Sequence, residues 1–309
     1  MTLIVDVSHL GHMYSHSTNN LFTNVNGRMV STVVQSGIIK SIYRWSKGGT
    51  IPTVVCFDKS CPARKDLLIK SGVVYKEGRP SNKMLRWALD DTRRLLEQGG
   101  VSCVAMDGYE ADDLVAAAVH SSRLLYPNER IEVVTGDTDL VPLCSDDVSV
   151  YLRSPKGTFA VDESRAKTKY AEITPDTYEP LLSERAMFKG LSVPYNTLFL
   201  LKLLRGDKSD NIKSPVMKMF PPKKYNALVE EFVSRGLSAE YTLESQHSVF
   251  GFLEEFIPSD YLPPLLQIWK SMCLNFPYED RPSFRPFAFG TFSGSALSQA
   301  CSEYRIRLT

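Results

Sequence analysis

Four short apolar runs mark the first half of the chain: Leu3–Val7, Thr53–Phe57, Val101–Ala105 and Ile131–Thr135. None alternates with polar residues, which is the pattern of strands buried on both faces of a parallel sheet. Between them lie longer stretches with helical spacing, such as Val30–Trp45 and Tyr109–Leu125. The alternation predicts an α/β core, a twisted and mostly parallel sheet flanked by helices. Val148–Leu152 and Thr158–Val161, joined through Ser154-Pro155-Lys156-Gly157, predict a hairpin at the sheet edge. From about Asp162 the pattern turns mainly helical with many Pro breaks, with helices expected at Tyr195–Leu204, Lys223–Arg235 and Ser259–Cys273. This change divides the chain into a core over residues 1–235 and a C-terminal helical extension over 236–309.

The 309 residues are 43% hydrophobic and 23% charged, an ordinary globular composition with a net charge of +1. A near-zero total means that any electrostatic footprint is local. No apolar run approaches the roughly 18 residues of a membrane span. The start, Met1-Thr2-Leu3-Ile4-Val5-Asp6, has no basic segment or cleavage site, so no signal peptide is expected. Six scattered cysteines without a Cys-x-x-Cys pair exclude a zinc ribbon and suit reduced thiols in a cytoplasm. One local charge excess stands out: residues 59–94 carry ten basic and four acidic side chains. A second basic cluster follows Lys202: Arg205, Lys208, Lys213, Lys218, Lys223 and Lys224.

The acids fall in a pattern. Asp6 ends the first predicted strand and Asp58 follows the second. After the third come Asp107, then Glu110-Ala111-Asp112-Asp113 opening a helix; after the fourth come Asp137 and Asp139. Four strands thus deliver acids at their carboxyl ends, the edge where open α/β sheets bind ligands. Converging carboxylates raise one another's pKa or repel. A helix N-terminus offsets part of one charge, about 1 kcal/mol at most, so a cation is required. Oxygen-only ligands favour Mg²⁺ or Mn²⁺ over zinc, and two such ions roughly 4 Å apart make a phosphodiester-hydrolysis site. Singly, each acid reads equally as a cap or a solvated strand end. Asp207 and Asp210, in Gly206-Asp207-Lys208-Ser209-Asp210-Asn211, add two further ligands or form a solvated turn.

The ordered set Leu-Ile-Val-Asp6, Cys-Phe-Asp58, Tyr-Glu110-Ala-Asp112-Asp113, Thr-Gly-Asp137-Thr-Asp139-Leu and Gly-Asp207-Lys-Ser-Asp210-Asn-Ile resembles the flap endonuclease/5′ exonuclease family, most of all its phage-encoded members. The likeness runs from about residue 2 to residue 212 and implies a PIN-like 5′ nuclease core. It places Asp6, Asp58, Glu110 and Asp112 around a first metal, and Asp113, Asp137, Asp139, Asp207 and Asp210 at a second. Tyr75-Lys76-Glu77-Gly78-Arg79 matches the family's catalytic stretch, so Lys76 and Arg79 are expected on the scissile phosphate. The basic stretch becomes a helical arch, about 59–98, around a 5′ single strand. Lys65, Tyr75, Lys83, Arg86 and the lysines at 208, 213, 218, 223 and 224 then grip nucleic acid, the last set from a DNA-binding helical region at about 195–235. The implied substrates are DNA or RNA–DNA hybrid with a 5′ end or flap, in primer or flap removal. The implied location is the cytoplasm, that of the host if phage-encoded, with a replication protein as a partner of the C-terminal part.

One stretch departs from the family. Where a glycine-rich helix–hairpin–helix and its potassium ion are usual, residues 213–224 contain no glycine. Duplex binding then falls to the lysines. His9, His12 and His16 share a helical face but lack a fourth zinc ligand. Five Phe and one Tyr within residues 276–292 read as core packing or a docking surface. Two other functions fit parts of the pattern. A PIN-like single-strand ribonuclease keeps the fold but lacks the arch and the Asp207 turn. A silent structure-specific DNA-binding protein would need broken ligands, and every expected acid is present. A phosphatase of the Asp-x-Asp type is excluded by Ser8.

Overall fold

The computed structural model describes the chain except for residues 17–20, 26, 74–81, 154–169, 174–184, 189–190, 195–197, 207–211, 238, 240–242, 275–286 and 309. From the N-terminus run β1 (Thr2–Asp6), α1 (Val7–Ser15), the pair β2 (Phe22–Val25) and β3 (Arg28–Ser31), α2 (Val33–Trp45) and β4 (Thr53–Cys56). Then come α3 (Pro62–Lys70), α4 (Lys83–Gln98), β5 (Ser102–Val104), α5 (Ala111–Leu125), β6 (Ile131–Thr135) and β7 (Val148–Arg153). After β8 (Tyr170–Ile173) and the pair β9 (Arg185–Phe188) and β10 (Leu191–Pro194) the chain is helical. Its last helices are α6 (Leu198–Arg205), α7 (Pro222–Ser234), α8 (Leu243–Leu253), α9 (Leu262–Met272) and α10 (Gly294–Ala300). Two compact units result: Met1–Ser60 with Ser81–Pro175 and Pro282–Thr309, and Cys61–Pro80 with Asp176–Arg281.

In the first unit six strands form one sheet in the order β5-β4-β1-β6-β7-β8. The first five are mutually parallel, and β8 pairs antiparallel with β7. Every residue of β1 and of β4 is buried, as their unbroken apolar sequences predict. The chain moves outward from β1 through β4 to β5, then returns to the other side of β1 for β6. That reversal makes the gap between β1 and β6 the topological switch point, the usual ligand crevice of such sheets.

Three local expectations change. The helix expected from Val30 starts at Val33, because Arg28–Ser31 pairs with Phe22–Val25 as β3. The antiparallel partner of β7 is Tyr170–Ile173, while residues 158–161 lie outside the described part. The region after Asp162 is less helical than its Pro-broken pattern suggests, since β8, β9 and β10 fall within it. The second unit holds its helices around fully buried Trp269 and Phe232, with Phe232 edge-on to Phe252 at 5.1 Å.

Residues beyond 286 return to the first unit. Thr53 donates its N–H to Gly290 O at 3.0 Å, and Phe292 does so to Gly49 O at 3.0 Å. Phe292, Leu297, Cys301, Tyr304 and Ile306 join Leu3, Ile38 and Leu95 in one core, so the described part of the Phe-rich stretch is packing. A buried polar knot ties this segment to α4. Asp91 Oδ1 accepts from Tyr304 OH at 2.8 Å and from Arg94 Nη2 at 2.8 Å. Tyr304→Phe is expected to cost about 1–2 kcal/mol, because the enclosed carboxylate loses a donor. A thermal midpoint lower by a few degrees checks this; an unchanged midpoint would show that Arg94 suffices for Asp91.

Candidate active site

Asp6 closes β1 and caps α1 in the same step. Its Oδ1 accepts from Ser8 N–H at 3.0 Å and its Oδ2 from the Thr135 hydroxyl at 2.8 Å. Thr135 ends β6, and the same hydroxyl oxygen accepts Asp137 N–H at 3.0 Å. Asp137 Oδ1 in turn accepts Asp139 N–H at 2.9 Å. Asp58, just past β4, reaches the start of α5, where its Oδ1 accepts Ala111 N–H at 2.7 Å. Three neighbouring strands, β4, β1 and β6, therefore carry Asp58, Asp6 and Asp137 at one edge of the sheet, at the switch point.

The remaining acids sit at the first turn of α5. Glu110 is its N-cap and Asp112 and Asp113 lie within it. Asp113 is fully buried and its Oδ2 accepts Glu110 N–H at 3.3 Å, half of a capping box. Asp112 Oδ1 accepts Asp113 N–H at 2.8 Å. A helix N-terminus welcomes this negative charge.

Asp6 is buried, 5% exposed, while Asp58 and Asp137 are open to solvent. Burial first, then the facing charges of Asp58 and Asp137, push the Asp6 carboxyl up to about 7; Thr135 and Ser8 offset part of the effect. The carboxylates of Asp58 and Asp137 thus bring their charge to bear on Asp6 at this edge. Ser8 Oγ, two residues beyond Asp6, is enclosed and has no hydrogen-bond partner among the described residues. Oxygen-only donors and an unsatisfied hydroxyl fit a hydrated hard cation. Among the described residues, no group of three or more His, Cys, Asp or Glu stands ready-made for a metal. Several of their oxygens accept N–H groups at helix starts.

Sequence reasoning missed two contributors. Thr135 holds Asp6 and Asp137 in register, though a Thr ending a strand carries no signal of that. Gly136 separates Thr135 from Asp137, and a Cβ there would stand 1.8 Å from His9 Cδ2. His9 therefore lies against the acid edge, and His12 follows it on α1 with His16 at the C-cap.

Of the remaining candidates, Lys76, Arg79, Tyr75, Lys208, Asp207 and Asp210 lie outside the described residues, as does the side chain of Lys223. Gly206 and Ile212, which flank residues 207–211, lie close together. Gly206 has φ 84°, and a Cβ on it would meet Ile212 O at 2.1 Å. Lys83 and Arg86 are exposed on α4 in the first unit; Lys65, Lys213, Lys218 and Lys224 are exposed in the second.

The family signature described as "5′-3′ exonuclease, N-terminal resolvase-like domain" matches residues 1–171, more than half of the chain. The chain belongs to this family. Within it, the chain is 26% identical over 233 residues to the thermostable DNA polymerase I of Thermus aquaticus, across 75% of this chain and 24% of the polymerase. It is 29% identical over 181 residues to the 5′-3′ exonuclease of Bacillus subtilis (strain 168), across 58% of this chain and 52% of that one. The chain thus spans 24% of the length of the Thermus aquaticus relative. Solved structures share the fold. The zinc-bound bacteriophage T5 5′-exonuclease aligns with a TM-score of 0.55 at 18% identity, over 100% of this chain and 99% of that one. The bacteriophage T5 flap endonuclease with DNA and metal ions aligns at 0.53 and 19% identity, over 98% and 92%. Among the described residues no helix is long and apolar enough to cross a membrane.

Proposed function

We propose that this member of the 5′-3′ exonuclease family is a divalent-metal-dependent 5′ nuclease that hydrolyses phosphodiester bonds in DNA or RNA–DNA hybrid at a 5′ end or flap. The observation that carries the reading is the meeting of Asp6, Asp58 and Asp137 on three adjacent parallel strands at the switch point. A relative named a 5′-3′ exonuclease and a DNA- and metal-bound flap endonuclease of the same fold support it.

In this reading Asp6, Asp58, Glu110 and Asp112 hold one ion. Asp113, Asp137, Asp139, Asp207 and Asp210 serve a second, directly or through water. The oxygen-only set favours Mg²⁺ or Mn²⁺. Such ions would lower the pKa of an attacking water and share the charge on the phosphate oxygens. The chain supplies the rest. Thr135 keeps two of the acids in register, and α5 offers its N-terminus to the carboxylates. Lys76 and Arg79 neutralise charge developing on the scissile phosphate. Lys65, Tyr75, Lys83 and Arg86 grip the 5′ strand, and Lys208, Lys213, Lys218, Lys223 and Lys224 the duplex. Residues 195–235 form the DNA-binding helical region of a nuclease core over 1–235. The primer- or flap-removal role and a replication partner for residues 236–309 belong to the same reading.

The test is cleavage of a 5′-flap duplex and a 5′-recessed RNA–DNA hybrid, labelled at each end in turn, in Mg²⁺ and in EDTA. Metal-dependent release from the 5′ side is expected. Lys76→Ala should lower turnover by about a hundredfold or more with the fold intact. Cleavage confined to single-stranded RNA would replace this reading with a PIN-like ribonuclease. Tight binding without cleavage would replace it with a DNA-binding protein.

A further inference from the structure

The first unit carries a second polar cleft, away from the acids. It has a volume of about 790 Å³, and Tyr43, Ser295, Ser298, Ser302, Arg305 and Arg307 line it. Its place in the sheet follows from topology. Gly290 bridges to Thr53, the first residue of β4, whereas Asp58 lies past the last. At about 3.3 Å per strand residue, the two edges stand on the order of 15 Å apart. The cleft belongs to the back edge.

Its chemistry is built by local structure. Ser295, Ser298 and Ser302 follow at intervals of three and four, one face of α10 continued into the next turn. Arg305 takes a left-handed φ of 52°. Arg305 and Arg307 are exposed and both line the cleft, while Ile306 between them is buried as an anchor. Tyr43 is fixed by close packing: a Cβ on Gly294 would stand 2.9 Å from its Cε2. Neither arginine forms an ion pair among the described residues, and the Ser298 hydroxyl has no partner there. Ser295 bonds to Ser293 and Ser302 donates to Gln299 O, which leaves the hydroxyl oxygens able to accept. Glu303 is the acid in this segment.

Two uncompensated guanidiniums beside hydroxyl groups and an aromatic ring match a phosphate ester: guanidinium forks bind its oxygens bidentately, and a ring takes an attached base. We infer that the Arg305–Arg307 cleft is a phosphate-binding site separate from the carboxylate edge, for a phosphate ester of a nucleotide or of a strand.

The two sources are told apart by two titrations of the full chain in EDTA. The first follows anisotropy of a fluorescein-labelled dT20 strand across a KCl series; the second follows calorimetric binding of thymidine 5′-monophosphate. Arg305→Asn with Arg307→Gln removes both charges, and Asn tolerates the left-handed backbone at residue 305. Ser298→Glu sets a negative charge in the cleft without touching the tail. If a strand is the ligand, the double variant weakens dT20 binding by about tenfold and flattens the log–log salt slope by about 1.4, two contacts at about 0.7 each. The slope matters because the basic stretch 59–94 also attracts the strand. If a free nucleotide is the ligand, the monophosphate binds wild type and neither variant, and the dT20 slope stays unchanged. Thermal midpoints equal to wild type show that the variants fold. With folding intact, an unchanged dT20 slope and monophosphate binding that ignores all three residues would overturn the assignment.

Discussion

Asp6→Asn is expected to abolish cleavage and, in metal-free protein at pH 8, to raise stability. On the proposed metal site, losing this carboxylate forfeits several kcal/mol of charge stabilisation, about a thousandfold in rate at 1.36 kcal/mol per tenfold. The stability gain follows from linkage. Burial and the charges of Asp58 and Asp137 hold the folded-state pKa at about 7, above the ordinary 3.8. Between those values the folded chain keeps a proton that the unfolded chain has lost. Stability from this group is therefore full below about pH 4, falls as pH rises, and is lost above about 7. Asparagine carries no charge to bury, so the variant gains on the order of 2–4 kcal/mol at pH 8 and little at pH 4. Thermal scans in EDTA at both pH values decide it. Two curves that run parallel from pH 4 to pH 8 would show that Asp6 carries no such burden, and Mg²⁺ should narrow the gap by stabilising the ionised wild type.

Gly136→Ala is expected to damage both fold and activity through one contact. The new methyl would overlap His9, 1.8 Å from Cδ2 and 2.0 Å from Nε2. Either the imidazole or the Thr135–Asp137 backbone must shift, at about 1–3 kcal/mol. The backbone shift would move Asp137 out of register with Asp6, and a displacement near 1 Å costs about a hundredfold in rate. A double-mutant cycle with His9→Ala isolates the cause. Removing the ring should restore most of the stability and part of the turnover. A double variant no better than Gly136→Ala alone would place the damage elsewhere.

How much of this was legible in the sequence depends on what each residue has to meet. The parallel strands at Thr2 and Thr53 are buried throughout and those at Ser102 and Ile131 are mostly apolar, so each appears as a short run without polar alternation and with an acid after it. The carboxyl edge could be written down from that alone. The pair β2 and β3 could not, because Val30 continues the apolar period of α2 and hides the strand before it. Thr135 looks like an ordinary strand residue until its hydroxyl is seen between two acids. The bond from Tyr304 to Asp91 spans 213 residues, and no local pattern encodes a partner so distant. The acids themselves hold a subtler lesson: the sequence brings them to one edge, yet their oxygens are engaged by helix starts that only the folded chain displays.

The first unit is assembled from pieces of chain that are synthesised far apart. Its acids at 6, 58, 110, 112, 113, 137 and 139 are all made before residue 176, where the long uninterrupted segment of the second unit begins. Phe292, Leu297, Tyr304 and Ile306, which close the core behind those acids, emerge only after that segment. At ~5–20 residues per second, the ribosome leaves a gap on the order of ten seconds between the two events. During that interval the nascent chain carries every described acid of the site on a sheet whose back is still open. The second unit, most of it one continuous stretch, has its residues in hand before the first can finish. Order of synthesis thus delays full packing behind the carboxylate edge until residues 292–306 have been made.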